Sequence, residues 1–516
     1  MSSSQSDLEK GGGDAKLTPD AVTEKSNDEH TTGKAPQNYD DIDELKRANP
    51  EAIIVTWDGD DLESPFNWSI TYRLYLTALV FMLNTGCTFA SSLPSTLMEE
   101  ISHSTHVSIQ VVKIGVFIYV GGFAAGPLLW APLSELFGTR PILIASCLLT
   151  TIFQMASALA PNIGGLIAFR FLAGTFSSAI LAVGSGIFAN MFDKDLLAFG
   201  MAVQSLGASG GPAVGPLVGA WVHVEEASWH WGLWACCILE GFLTVLTIFT
   251  LKETSKNFNL TKKAKRLRQQ TGNENYKSAM ELHSFNAKEF VDKWLLVPFK
   301  MILYEPMVLS TSLYFGFLYS TLYLFFVAFP IVFGGLHGLN AVQSSMVFLS
   351  YFAAEVVVAV CIVLFENRRY MKKRAASPTG KLPPEERLRC ALVGSPLIVM
   401  ALFWFAWTCY PSISIWSPIM AIAAYGAAFY CVKYSIFAFL GDAYKSRTAS
   451  AMSTNTLARS VFGFGFPLYG AQMFNRLNPH WATSLVAFIA LLLGPIPFIL
   501  FKYGPWLRSK ARYAFG

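Results

Sequence analysis

Gly126-Pro127-Leu128-Leu129-Trp130-Ala131-Pro132-Leu133-Ser134-Glu135-Leu136-Phe137-Gly138-Thr139-Arg140-Pro141 is the stretch on which the fold turns. It reads as a helix end, a tight turn at Gly138 and a helix restart at Pro141, because proline suits a first helical turn, where its missing N–H is not needed. One acid, Glu135, and one base, Arg140, stand at the rim of the turn. Apolar sequence runs away from it on both sides, over 112–134 and 141–160. Each run reaches the roughly 20 residues that a membrane-crossing helix needs. Two crossings joined by a few residues make an antiparallel helical hairpin.

Working outward, the pattern repeats. Further apolar runs cover 72–93, 165–188, 197–222, 229–251, 306–330, 341–366, 389–410, 415–440, 447–474 and 482–502, giving twelve crossings. Lipid accepts only helices or closed barrels, and runs of this length are helices. The expected fold is therefore an all-α membrane protein whose twelve transmembrane helices form two six-helix bundles, 72–251 and 306–502. A disordered acidic tail (1–71), a basic connection (252–305) and a short C-terminal tail (503–516) complete the chain. Composition agrees: the 516 residues are 53% hydrophobic and 14% charged, against about 25% charged in an average soluble protein. A water-soluble enzyme is excluded.

No apolar segment occurs early enough for a cleavable signal peptide, so the first crossing is expected to serve as the targeting signal. The eight cysteines (Cys87, Cys147, Cys236, Cys237, Cys361, Cys390, Cys409, Cys431) lie mainly within apolar runs. They show neither metal-type nor redox spacing and read as small packing residues. No metal, cofactor or nucleic-acid partner is expected.

Of the 39 Lys and Arg residues, about 33 fall in segments on the side of the two termini, and the opposite loops hold about one, Arg476. Arg73, Lys113, Arg170, Lys433 and Arg459 lie within or at the ends of crossings. The positive-inside rule then places both termini in the cytosol. The sequons at Asn67 and Asn259 face the cytosol too and stay unmodified. The connection carries Lys262, Lys263, Lys265, Arg266 and Arg268, expected on a partly helical segment beside the inner leaflet. These bases suit acidic lipid headgroups, or serve orientation and solvation alone.

Six crossings, a long connection and six more imply two halves around a site near the bilayer midplane. The fifth crossing carries Gly207, Gly211, Gly215 and Gly219. Steps of four put them on one helix face, where a neighbouring backbone can come close. Pro212 and Pro216 remove backbone donors and are expected to bend that helix.

At these residues the chain resembles the major facilitator superfamily, most closely its fungal drug:proton antiporters with twelve spans. The stretch 126–141 is similar to that family's loop signature between its second and third helices. It departs at Ala131, where many members have Gly, and at Thr139, where many have a first Arg. The resemblance implies that Glu135, Gly138 and Arg140 form a gating motif, a charge latch that is weaker here for want of one base. Arg170 to Gly174 resembles the RxxxG element of the fourth helix, which implies proton coupling or recognition of substrate charge. A structural hydrogen bond between helices is the other reading of Arg170. Gly215-Pro216-Leu217-Val218-Gly219-Ala220 resembles the antiporter signature GPxxGG, with Ala220 in place of the last Gly, and that signature accompanies exporters. Trp57 to Ser69, 299–333 and 455–474 extend the resemblance to roughly residues 55–500. It implies a monomer in the plasma membrane, with a vacuolar or vesicle membrane as the alternative.

Ionisable groups within crossings are functional candidates by default. Glu240 falls near the middle of the sixth, Glu355 of the eighth and Arg459 of the eleventh, while Lys433 lies in the inner half of the tenth. Burial disfavours a charged carboxylate, so such an acid can exchange a proton near neutral pH. Glu240 or Glu355 is thus a candidate proton carrier, and each has the alternative of locking two helices together. Lys433 with Arg170 would favour an organic anion, unless Lys433 snorkels toward the cytosolic interface. Asn84 and Gln204 are polar candidates on cavity-lining spans. The aromatics of the seventh crossing are expected mostly to face lipid or pack between helices.

The leading expectation is a secondary active transporter that exports a small organic molecule in exchange for protons. No GxxxxGK[ST] phosphate loop appears, which argues against direct ATP drive. A nutrient sensor or receptor on the same scaffold is the second class. An intramembrane enzyme is third, for want of a metal cluster or a Ser/His pair. Among transporters, multidrug efflux, export of a secondary metabolite or organic acid, and polyamine export remain open, and Lys433 fits the last of these poorly.

Overall fold

In a bilayer each crossing must satisfy its own backbone, and each expected crossing is a helix. The computed structural model describes residues 47, 49–57, 59, 61, 63–282, 296–378, 380, 382–444 and 447–511. The disorder expected of the leader lies outside the described residues as far as residue 46. The first half comprises α1 (Ile70–Ser92), α2 (Ile109–Phe137), α3 (Thr139–Ala158), α4 (Ile163–Met191), α5 (Lys194–Val224) and α6 (His230–Thr250). The second comprises α7 (Pro306–Phe329), α8 (Ala341–Cys361), α9 (Arg389–Thr408), α10 (Trp416–Ala443), α11 (448–477) and α12 (479–493).

Ten stretches of the described residues are long and apolar enough to cross a membrane by that measure alone. One of them, Ser450–Lys510, has 61 residues. A straight helix of that length would run about 90 Å, three times the hydrocarbon thickness of roughly 30 Å. The chain instead breaks at Asn478, whose φ of 60° lies in the left-handed region. Its ψ of 155° is extended rather than helical, as Pro479 requires of the residue before it. This break separates α11 from α12. Helix α5 falls outside the ten because Gln204, Ser205, Ser209 and its glycines dilute the apolar residues. With α5 restored and the long stretch counted twice, the described residues hold twelve crossings.

The expected ends of the last two crossings shift. The sequence predicts a gap at 475–481, but the turn is confined to Asn478. Beyond α12 the helix resumes as Ile496–Lys510.

Helix α7 lies at the centre of its half, buried at nearly every position from Thr311 to Phe329. Tyr314, Phe315, Phe317, Tyr319, Tyr323, Phe325 and Phe326 are all buried. This corrects the lipid-facing part of the sequence reading: they pack between helices. The rings interlock edge-on and tilted, as Phe325 does with Phe405 and Tyr425 at 5.9 and 5.3 Å between centroids. Such pairs add roughly 0.5–1.5 kcal/mol each beyond area burial.

On the side of the termini, part of the leader expected to be disordered is ordered. Ile53–Ile54 (β1) pairs in parallel with Tyr276–Lys277 (β2). The connection forms a helix, Lys256–Thr271, beside this ribbon. Three of its five bases meet protein acids: Lys263 bonds Asp61 at 2.8 Å, Arg266 pairs with Glu63, and Arg268 bonds Glu281 at 2.8 Å. The headgroup reading is thereby narrowed to Lys262 and Lys265. Both sequon amides are engaged, Asn67 donating to Gly59 O and Asn259 to Glu253 O.

This strap is pH-dependent. Asp61 sits below its ordinary value: burial pushes it up, but hydrogen bonds from Lys263 and the Glu63 N–H, with both cations nearby, more than offset that. Glu281 is held down first by the hydrogen bond from Arg268. A carboxyl depressed in the folded state stabilises it above the unfolded pKa, and that contribution is lost as pH falls through the folded one. Amide protection at Ile53 and Val55, which bond Asn275 O and Lys277 O, should therefore persist at neutral pH and vanish below the usual carboxylate range. Glu281→Gln should weaken it already at neutral pH. Protection unchanged by acid would contradict the ion pairs' role.

Candidate functional site

The two halves meet along α2 with α11 and α5 with α8. Close approach on the first half's side of the seam depends on glycine. A Cβ at Gly211 would stand 2.2 Å from Phe89 N and Thr88 Oγ1, and one at Gly219 would stand 2.4 Å from Leu93 O. Gly207 and Gly215 face the same partner, α1, near Phe81 and Ser92. The expected single face is thus an α1–α5 contact. Ser92 Oγ donates to Gly211 O (3.1 Å) and Thr85 Oγ1 to Gly207 O (3.1 Å). Pro212 and Pro216 lie inside α5, which runs unbroken to Val224.

Held against α1 in this way, α5 turns Ser205 and Ser209 toward the second half. Lys433 on α10 crosses the seam to meet them. Its Nζ donates to Ser209 Oγ (2.7 Å) and Ser205 O (3.2 Å), and to both carboxylate oxygens of Glu355 on α8 at 3.3 Å. Tyr351 Oη donates to Glu355 Oε1 at 2.8 Å. Lys433 is 3% exposed and Glu355 0%. The snorkelling reading of Lys433 is therefore corrected: the ammonium lies inside the protein with a counter-ion. Tyr430 Oη reaches Ala202 O across the same seam at 3.2 Å.

Arg170 is buried wholly within the first half. Nε donates to Gly115 O (3.1 Å), and Nη2 to Ala90 O (3.1 Å) and Val116 O (3.0 Å). The guanidinium lies over Tyr119, 4.8 Å from the ring centroid. Arg170 thus ties α4 to α1 and α2, the structural hydrogen-bonding role named as its second reading, while Nη1 has no hydrogen-bond partner among the described residues. Arg170 and Lys433 are each bonded to other groups, Arg170 to carbonyls of its own half and Lys433 to Glu355 and Ser209.

Glu240 is buried in the first half, against Gly86 of α1 and apart from the Lys433–Glu355 pair. Its Oε1 has no hydrogen-bond partner among the described residues. Asn84 bonds Val80 O in its own helix, and its Oδ1 has no partner among the described residues. Gln204 lies beside Gly184 on the α4–α5 contact. Arg459, on α11, is 7% exposed, and its Nε has no partner among the described residues.

At the turn between α2 and α3, Gly138 has φ 93°, which few residues other than glycine adopt. Glu135 and Arg140 are both exposed there. Arg140 Nη2 donates to Ile248 O (3.2 Å) in its own half. Sequence reasoning missed Glu253, which accepts from Thr139 N (3.0 Å) and Arg140 N (3.1 Å) and so caps α3. The available signal was negative: no Ser, Asp or Asn stands at the cap position, Gly138, so the first N–H groups of α3 need another acceptor.

Two six-helix halves meeting along a seam with a buried ion pair define a membrane transporter. The chain belongs to the Major Facilitator Superfamily, whose profile matches residues 74–467. Its relatives are transporters and fungal efflux pumps, and like them it is not an enzyme. It is 34% identical over 503 residues to the transporter mfs1 of Schizosaccharomyces pombe, covering 95% of this chain and 94% of that one. It is 33% identical to the multidrug transporter FLU1 of Candida albicans, over 90% of this chain and 77% of the relative. Among solved structures, the proton:xylose symporter XylE superposes with a TM-score of 0.61 at 12% identity, covering 84% of this chain and 96% of the other. The human organic anion transporter MFSD10 does so at 0.57 and 16%, covering 83% and 100%. At those identities the likeness concerns the fold alone.

Proposed function

We propose that the chain exports a small organic molecule (a drug, secondary metabolite or organic acid) in exchange for protons, by alternating access of its two halves. The observation that carries this reading is the Lys433–Glu355 pair lodged against Ser205 and Ser209 of the opposite half. A proton on Glu355 removes the counter-ion and weakens the contact across the seam. Separation of α5 from α8 and α10 lets water reach the carboxylate and gives a proton a path to it. Proton uptake and movement of the halves then favour each other, as linkage requires. Glu240, an acid with an unpartnered oxygen, is the second proton group. Relatives described as a citrinin biosynthesis cluster transporter and as a multidrug transporter support export.

The protein works as a monomer in the plasma membrane, both termini cytosolic, with lipid around its apolar faces. Transport by Glu240→Gln and Glu355→Gln, in vesicles with an imposed pH difference, tests the reading. Loss of the pH-driven component in at least one variant is expected. Normal proton-driven efflux in both would overturn it.

A further inference from the structure

Arg170, Lys433 and Arg459, three of the cations buried in the crossings, are not equivalent. Arg170 is held by three carbonyl oxygens, and Lys433 by a carboxylate and Ser209. Arg459 enters no ion pair among the described residues, and its Nε is without a hydrogen-bond partner. What surrounds it is aromatic: the guanidinium carbon lies 5.9 Å from the Phe315 centroid, 5.1 Å from Tyr319 and 6.0 Å from Phe437. Such faces attract a cation but supply neither a counter-charge nor an acceptor for the planar N–H fork. A buried charge left in this state calls for a partner that the chain does not provide.

The place is also the right one for a solute. Gly463, one turn along α11, stands where a Cβ would meet Tyr319 at 3.0 Å and Val120 of the first half at 3.3 Å. Tyr319 Oη lies 3.3 Å from Tyr323 Oη, which is 2.9 Å from Ser91 Oγ on α1. The rings around Arg459 thus continue onto the seam. One turn earlier on the same helix face, Asn455 is fully buried. Among the described residues its Oδ1 has no partner, and its Nδ2 makes one long bond, 3.4 Å, to Ser312. An amide so loosely held can offer a second donor.

We propose that Arg459 binds the anionic group of the transported molecule, a carboxylate or similar oxyanion, with its apolar or aromatic body against Phe315, Tyr319 and Phe437. This rests on the reading of the chain as an exporter of organic solutes, and it names the class of solute. It moves charge recognition from Arg170 and Lys433 to Arg459, which enters no ion pair among the described residues and whose Nε has no partner there.

The test uses the full-length protein in lipid nanodiscs and two fluorescent probes of matched body, 1-pyrenebutyrate and the neutral 1-pyrenebutanol. The wild type is expected to bind the anion tighter than the alcohol by about tenfold or more, the scale of one charge-assisted hydrogen bond. Arg459→Gln should erase that preference by weakening anion binding about tenfold more than alcohol binding. Arg459→Lys, which keeps the charge without the planar fork, should retain part of the preference and serves as the folded control should Arg459→Gln fail to assemble. Anion binding by Arg459→Gln equal to that of the wild type would overturn the proposal. So would full anion preference lost equally in Arg459→Lys and a Lys433→Gln variant, or no anion binding by the wild type at about 1 mM probe. Efflux of the same probes from cells is read separately. Efflux indifferent to an uncoupler would remove proton-driven export while leaving the binding result standing.

Discussion

Lys433→Met alone is expected to be among the most damaging single substitutions in this protein. It leaves the Glu355 carboxylate buried beside Ser209 with only Tyr351 to donate to it. Breaking a buried pair from one side costs about 3–5 kcal/mol, because the surviving charge is uncompensated. The double variant Lys433→Met, Glu355→Gln removes both charges and should recover most of the stability, since replacing a buried pair by neutral groups is often close to neutral. Thermal unfolding in detergent, followed by thiol-reactive dye capture of the buried Cys87 and Cys236, measures the difference. Recovery of stability without recovery of pH-driven transport is the expected combination. A single variant as stable as the double one would mean that the pair is not a unit.

Gly211→Val should be as severe for a different reason. A Cβ there would stand 2.2 Å from Phe89 N, a backbone atom that no side-chain rotation can move aside. Helices α1 and α5 must separate, carrying Ser205 and Ser209 away from Lys433. Overpacking costs typically 1–3 kcal/mol and sometimes more. Backbone contact on a face of four glycines puts this case at the upper end. Gly186→Ala, where nothing lies within 4 Å of the added atom, is the matched control and is expected to be neutral or slightly stabilising. Membrane yield and melting temperature of the two variants decide the matter. Equal behaviour would show that the α1–α5 face is not closely packed.

The crossings were legible because lipid imposes a length and a composition that local sequence must meet. The glycine face of α5 was legible as well, since steps of four fix a face whatever it touches. What it touches was not, because α1 lies more than a hundred residues earlier. Charges within crossings announced themselves, but their pairing did not: Lys433 and Glu355 are 78 residues apart, and Ser209 is 224 residues from Lys433. No spacing rule joins them. Their tertiary neighbours alone distinguish Arg170, bonded to three carbonyls, from Arg459, bonded to none among the described residues. Helix α5 shows the reverse difficulty, since the polar residues that serve the seam lower the very hydropathy by which a crossing is recognised.

The β1–β2 ribbon has a mechanical consequence. With Lys263 bonded to Asp61 and Glu253 capping α3, residues up to Leu282 are fastened to the first half and travel with it. Lys262 and Lys265 stand on the same helix as Lys263, so the first half carries them with it when it rocks.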